Sequence, residues 1–172
     1  MIRVLGGILV AASCAGLGML QGKKLKNRIL HLKAMIRIAA FLEGEISFAK
    51  STLPEALKEI SGRTQEPFSG FLAAVSRRLG EHPGERFSHI LRQEMEHYLR
   101  QTELTEEDLE EFYRAASDLG YLDKNMQVHI LASYRRDQEE KVQRLTGELP
   151  QKLKLFRSLG ILGGIFLVIL FF

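Results

Sequence analysis

The chain has 172 residues, which is enough for one domain together with its terminal segments. Its single cysteine, Cys14, excludes an intramolecular disulfide framework and a cysteine-rich metal site. The net charge is +3, and the sequence has neither a long basic tract nor an alternating aromatic pattern, so it gives no indication of nucleic-acid binding.

The first predicted element is an apolar segment near the amino terminus. Residues 4–20 are 17 consecutive positions without a charge. As a helix rising about 1.5 Å per residue, such a run roughly spans the hydrocarbon core of a bilayer. We therefore expect residues 1–22 to be a retained transmembrane helix. Two alternatives stay open: a cleaved signal peptide, and a lipoprotein signal in which residues 11–14, ending in Cys14, act as a lipobox.

Between residues 23 and 152 the apolar residues recur with the period of α-helices rather than of strands. The first helix is predicted to continue from the apolar segment to about Lys50. Its apolar stripe contains Leu25, Ile29, Leu32, Ile36 and Ala39, with Leu42 and Ile46 on a shifted continuation. Thr52, followed by Glu55 three residues later, predicts a capping box at the start of a short second helix.

Four more helices are predicted in the same region. The third starts at Pro67 and ends at Gly80, which we expect to be its C-terminal cap. The fourth carries the apolar residues from Phe87 to Tyr98. The fifth is capped by Thr105 with Asp108 and is closed by Gly120; the sixth is capped by Asp123 and interrupted or kinked at Pro150. The fold is therefore predicted to be all-α, with a bundle of about six helices in residues 23–152.

The last predicted element is a second membrane segment. Residues 158–172 are uncharged, and adding Leu153, Leu155 and Phe156 brings the segment near the required length, so residues 153–172 are predicted to be a transmembrane helix. A buried core helix is the alternative. Both segments are flanked by cations on the side of the bundle, which places residues 23–152 in the cytoplasm. These cations are Lys23, Lys24, Lys26 and Arg28 after the first segment, and Lys152, Lys154 and Arg157 before the second.

Small residues recur at a spacing of four in both apolar segments. Gly18 and Gly22 follow Cys14 in the first, and Gly160 and Gly164 form a GxxxG in the second. This spacing lets two helices approach closely in lipid, so these glycines are candidates for helix packing. The alternative is that glycine is simply common in membrane helices.

No motif for catalysis or cofactor binding occurs in the sequence. It contains no GxxxxGK[ST], HExxH or GxSxG. Glu94 and His97 form one Glu-x-x-His, but a di-iron bundle needs two such units and further glutamates. We therefore expect no enzyme activity, no cofactor and no metal. The charged stretch Arg135–Lys141 is predicted to be a solvated helix face, or otherwise a docking surface.

Two blocks near the start of the bundle suggest a family. Leu42–Phe48, followed by Thr52–Ala56, resembles the first helical hairpin of the stage III sporulation protein AB family. That family has a Leu-Glu-x-Glu-Ile block followed by Thr-Pro-Leu-x-Glu-Ala. Here Pro54 follows the leucine rather than preceding it, which shifts the expected cap.

Two later blocks point to the same family. Leu119 and Gly120, with Asp123 and Gln127, are similar to its Leu-Gly-x-x-Asp-x-x-x-Gln junction. Lys154–Gly160 resembles the entry to its last membrane helix. The resemblance covers the whole length of the chain in the right order.

The resemblance implies a function as a scaffold. Members of this family are similar to the inner-membrane platform proteins of type II secretion and type IV pilus machines. The chain is therefore expected in the mother-cell membrane facing the forespore, within the channel complex between the two cells. Its expected partners are a cytoplasmic ATPase similar to stage III sporulation protein AA, other membrane proteins of the channel, membrane lipids and a second copy of the chain, but not nucleic acid.

Four polar residues are the candidates for the partner interface: Glu43, Glu45, Asp123 and Gln127. Asp123 has a competing role as a helix cap. The alternative function is a membrane-tethered adaptor or signalling scaffold unrelated to secretion.

Overall fold

The computed structural model describes residues 2–48, 52–82 and 84–171. For residues 2–18, 160, 161, 164, 165 and 167–171 it describes the helix but not the surroundings of the side chains. Within these ranges the regular elements are six helices, and none is a strand, which confirms the all-α prediction. They are α1 (Ile2–Phe48), α2 (Leu53–Gly62), α3 (Phe68–Glu81), α4 (Phe87–Tyr98), α5 (Glu106–Ala116) and α6 (Lys124–Phe171).

The chain divides into two compact units, and the two long helices contribute residues to each. The first, which we call the helix-pair unit, consists of Met1–Ile29 and Gln143–Phe172. The second, which we call the bundle unit, consists of Leu30–Val142. The predicted segment boundaries, after residues 22 and 152, stay predictions.

The two predicted membrane helices gain no support from the structure. Among the residues that it describes with their side chains, no helix is both long enough and apolar enough to cross a bilayer. Most of the two uncharged runs, residues 4–20 and 158–172, lies outside those described side chains.

One apolar face of each helix forms the core of the bundle unit. Most of the apolar residues of α3 and α4 are buried, with Phe71 of α3 and Ile90 of α4 almost completely so, whereas Leu79 and Tyr98 near the helix ends are half-buried. In α1 the predicted stripe is partly wrong. Leu32 and Ala39 are buried as expected, but Met35 and Ile38 are equally buried while Ile36 is only half-buried. Because neighbours cover α1 over a wide arc, its buried face is broader than a single stripe.

Both predicted capping boxes are present. The Thr52 amide donates to Glu55 Oε2 at 2.8 Å, which fixes the start of α2. At the start of α5, the Asp108 amide donates to Thr105 Oγ1 at 3.3 Å, and the Thr105 amide donates to Asp108 Oδ2 at 3.0 Å. These contacts are confined to four consecutive residues, which is why the sequence predicts them well.

Three predicted helix ends differ in the structure. Gly80 is not a cap but lies inside α3, which continues to Glu81. The helix α5 ends at Ala116 rather than at Gly120, and Gly120 instead has a positive φ of 88° in the turn before α6. Pro150 does not interrupt α6, which continues through it.

Candidate interaction surface

The turn between α5 and α6 is held by two of the predicted interface residues. Asp123 Oδ1 accepts hydrogen bonds from the amides of Asn125 and Met126, at 3.0 and 3.1 Å, and so caps α6. Gln127 Oε1 accepts from the Gly120 amide at 3.2 Å, while its Nε2 donates to the Leu122 carbonyl at 2.6 Å. Both side chains therefore have an internal role, because their hydrogen bonds hold the turn in place.

A cleft of about 240 Å³ lies beside this turn. Its lining comes from α1, α2 and the start of α6, and it combines an apolar floor with polar residues of both charges. The lining residues are Glu45, Ile46, Leu53, Ala56, Gly120, Lys124 and Gln127. The structure thus brings together Glu45 and Gln127, two of the four predicted interface residues.

Apolar side chains of the turn and of the adjoining helix are exposed to solvent. The exposed fraction is 68% for Tyr121, 36% for Leu122 and 47% for Met126. Phe48, two residues after the cleft residue Ile46, is 91% exposed at the end of α1. Exposed large apolar residues grouped beside a cleft are typical of a protein-binding surface. We call the cleft and these four residues the turn surface.

The fourth predicted interface residue, Glu43, has an internal partner. Its carboxylate lies 3.4 Å from Nε of Arg135, and its side chain is only 16% exposed. This ion pair joins α1 to α6 within the bundle unit, so Glu43 stabilises the bundle rather than lying open at the turn surface.

Sequence reasoning missed the apolar part of the turn surface. Tyr121, Leu122 and Met126 lie beside the capping residue Asp123, but the sequence analysis selected only the polar residues Asp123 and Gln127 of this stretch as interface candidates. The available signal was the presence of three large apolar side chains around an N-cap. None of them lies on the buried face of the following helix, which would have indicated that they are exposed.

A second group of polar residues lies in the interior between α5 and α6. Lys141 Nζ lies 3.2 Å from Asp108 Oδ1 and 2.5 Å from Glu111 Oε2, and Gln138 Nε2 donates to the same Glu111 oxygen at 2.7 Å. Gln138 is 1% exposed and Asp108 is fully buried. Part of the charged stretch Arg135–Lys141 is therefore turned inward and is not the solvated face that was predicted.

The protonation equilibria of this buried polar cluster are shifted. Burial opposes the charge on Lys141, but the hydrogen bonds to Glu111 and Asp108 outweigh it, so the pKa of Lys141 is raised. Burial, reinforced by the Glu111 and Asp108 carboxylates, raises the pKa of the Tyr134 phenol. In the described part of the chain, Tyr134 Oη and Gln138 Oε1 are buried without a hydrogen-bond partner.

The side chains that were considered for metal binding are used in other contacts. Glu94 Oε1 accepts from Arg78 at 2.9 Å, and the His97 ring packs against Tyr98 with 4.8 Å between ring centroids. Across the residues that the structure describes, no group of three or more potential metal ligands occurs.

In the helix-pair unit, Gly22 lies close to the opposite helix. A Cβ atom added to Gly22 would lie 2.5 Å from Leu153 Cδ2, whereas one added to Gly163 would meet nothing within 4 Å. Gly22 is thus placed where α1 and α6 approach each other. The other candidate packing residues, Gly18, Gly160 and Gly164, fall outside the residues whose surroundings are described.

The described residues form an all-α bundle unit with an apolar cleft at the α5–α6 turn, together with a helix pair. A solved structure described as stage III sporulation protein AB (SpoIIIAB) shares this fold with a TM-score of 0.65. The match covers 72% of this chain and 96% of that chain at 17% identity, which is evidence for the fold alone. A search of curated proteins gave no match.

The family assignment comes from the sequence over nearly its full length. The model of the stage III sporulation protein AB family matches residues 3–172. The chain therefore belongs to the stage III sporulation protein AB family, which confirms the resemblance seen in the sequence blocks and supports a role in sporulation.

Proposed function

We propose that this chain is a non-enzymatic platform of the sporulation channel complex and that it binds the complex's cytoplasmic assembly ATPase. Family membership supports the sporulation context. The observation that carries the proposal is the turn surface, where a cleft of about 240 Å³ adjoins exposed Tyr121, Leu122 and Met126. A scaffold needs such a surface, whereas it needs no catalytic group.

The proposal places the chain at the mother-cell membrane that faces the forespore, with the bundle unit in the cytoplasm. Its support is the sequence, in which residues 4–20 and 158–172 are uncharged and cations flank both segments on the bundle side. Extraction of membranes with alkaline carbonate tests the attachment. Integral attachment predicts that the chain stays in the pellet, and full release into the supernatant would contradict it.

The chemistry of the turn surface defines what it binds. Its exposed residues are apolar, and its cleft has Glu45 on α1 and Lys124 on α6. An apolar side chain of the partner would fill the cleft, and charged residues beside it would pair with Glu45 and Lys124. Burial of apolar area would supply most of the affinity, while the charges would select the orientation.

Co-purification in mild detergent tests this function. Tagged full-length chain is expressed with the ATPase of the same organism, and retention of the ATPase is measured. Met126→Asp adds a charge to the turn surface and is compatible with the first turn of α6, where acidic residues are favourable. Leu30→Asp is the matched control, because Leu30 is also exposed, at 61%, but lies outside the turn surface.

We expect Met126→Asp to reduce retention of the ATPase at least about tenfold, and Leu30→Asp to leave it unchanged. Glu45→Lys is the second variant, with Glu140→Lys as its control on the exposed part of α6. If folded Met126→Asp and Glu45→Lys proteins both retain the ATPase fully, the turn surface is not its binding site. Absence of retention by the unaltered chain would contradict the platform function itself.

A further inference from the structure

The two units carry opposite charge. Residues 30–142 contain 15 Lys and Arg against 20 Asp and Glu, whereas residues 1–29 and 143–172 contain nine Lys and Arg against a single acid, Glu148. The small net charge of the whole chain conceals this division. The helix-pair unit is strongly basic, so its positive charge favours the binding of an anionic partner.

The cations concentrate where α1 and α6 meet. Gly22 and Leu153 mark the contact, and five exposed cations follow them within four residues, which is about 6 Å along either helix axis. They are Lys23, Lys24, Lys26, Lys154 and Arg157. We call these five residues the basic band.

The basic band is not neutralised within the unit. Glu148, the acid of this unit, already accepts from Lys152 at 2.7 Å, and Lys152 is not a member of the band. None of the five cations forms an ion pair with a residue that the structure describes. Their charge is therefore available to an external anion.

Exposed aliphatic side chains adjoin the basic band on the same helices. Met19 is 72% exposed, Leu20 56%, Leu155 53% and Leu159 57%. Phosphate groups occur in both nucleic acids and lipids, but of these two only lipids also have acyl chains, which match the exposed aliphatic side chains beside the cations. Cations next to such side chains are the recognition pattern of an anionic lipid surface.

We propose that the basic band binds the headgroups of anionic phospholipids and that Met19, Leu20, Leu155 and Leu159 contact their acyl chains. The proposal rests on the membrane attachment proposed above and adds the lipid class. It requires neither that a helix crosses the bilayer nor that the ATPase binds.

Native mass spectrometry of the full-length chain in neutral detergent provides the test. Phosphatidylglycerol and phosphatidylcholine of equal chain length are added at equal concentration, and the retained lipids are counted. The test variant replaces all five residues of the basic band by Gln. The control variant carries the same loss of five charges in the bundle unit, at exposed Lys33, Arg37, Lys58, Arg77 and Arg136.

We expect the unaltered chain to retain phosphatidylglycerol in preference to phosphatidylcholine. Since each cation near an anionic surface contributes roughly a fivefold factor, the test variant should lose at least about a hundredfold in affinity for phosphatidylglycerol. The control variant should keep the preference. Raising the salt concentration should weaken the binding of the unaltered chain, because the headgroup contacts are screened.

Three outcomes would overturn the proposal. These are equal retention of the two lipids, equal loss of preference in both variants, and, when a short RNA is added in a parallel measurement, binding of the RNA with no preference for phosphatidylglycerol. None of them bears on ATPase co-purification, so a failure here is distinguishable from a failure of the platform function. Circular dichroism of each variant establishes that it is folded.

Discussion

Lys141 Nζ lies 3.2 Å from Oδ1 of Asp108, a carboxylate with no exposed surface, and this pair joins α6 to α5 inside the bundle unit. The Lys141 side chain is 13% exposed and also contacts Glu111. This part of α6 can pack against α5 because, where water is excluded, the positive charge of Lys141 and the negative charge of Asp108 compensate each other.

Replacing Lys141 by Met should destabilise the protein by about 3 kcal/mol, because it leaves the buried Asp108 carboxylate without its cation. Thermal unfolding of the full-length chain in detergent measures the effect. Arg136→Met is the control, since Arg136 is exposed on the same helix, and it should change the stability by less than about 0.5 kcal/mol. Equal effects of the two substitutions would contradict the role of the pair.

Replacing Tyr134 by Phe should stabilise the protein by about 1 kcal/mol, because it removes a buried hydroxyl without a hydrogen-bond partner in the described part of the chain. The exposed Tyr121 supplies the control, and Tyr121→Phe should have no measurable effect at neutral pH. A destabilised Tyr134→Phe protein would mean that the hydroxyl has a partner that stabilises the fold.

The same residue should control stability at alkaline pH. Burial raises the pKa of Tyr134 above its usual value near 10. The folded state therefore binds this proton more tightly than the unfolded state, and stability is full below about pH 10 and falls as the pH rises. The raised pKa of Lys141 changes the stability in the same direction, and its contribution to the stability is lost as the pH rises above about 10.5. Melting temperatures between about pH 8 and 11 should fall less steeply for Tyr134→Phe than for the unaltered chain.

Gly120 should be sensitive to any side chain. Its φ of 88° lies in the left-handed region, so Gly120→Ala should cost about 1–2 kcal/mol even though the added Cβ has room, at 3.7 Å from Leu53. Gly44→Ala is the informative comparison. Gly44 lies in α1 with open space around it, and alanine there should stabilise the helix by about 0.5–1 kcal/mol. If denaturation experiments show that Gly120→Ala and Gly44→Ala change the free energy of unfolding in the same direction, this prediction is wrong.

Gly22 should be a packing residue of the helix-pair unit. Gly22→Ile should destabilise the unit by about 1–3 kcal/mol, because its Cβ would collide with Leu153. Leu153→Ala should restore part of the loss, since the colliding atom belongs to that side chain. Gly163→Ile, at a position with no neighbour within 4 Å, serves as control. Thermal unfolding in detergent of the unaltered chain, the two single variants, the double variant and the control measures the coupling. Strictly additive effects of Gly22→Ile and Leu153→Ala would exclude the contact.

What could be predicted from the sequence was mainly local. The capping boxes at Thr52 and Thr105 depend on side chains three residues apart, so their geometry follows from the sequence. Gly80 misled the prediction, because a glycine near the end of an apolar face can cap a helix or simply continue it. Here α3 continues one residue past Gly80, to Glu81, and a Cβ added at Gly80 would meet nothing within 4 Å.

The candidate surface was only partly predictable, because its contacts join residues that are far apart in the sequence. Glu43 and Glu45 are equivalent in the sequence, yet the first pairs with Arg135 and the second lines the cleft. Gln138 and Lys141 alternate with exposed charges, and nothing local indicates that these two turn inward. Their burial depends on acids of α5, about 30 residues earlier in the chain.

The ion pair between Glu43 and Arg135 joins residues that are 92 positions apart. During synthesis, α1 therefore leaves the ribosome long before its partner on α6 exists. Contacts of such long range form late, because a large loop must close first. The bundle unit can close only after α6 has been made as far as Val142. Until then the apolar side chains of α1 must be shielded by α2–α5 or by a chaperone.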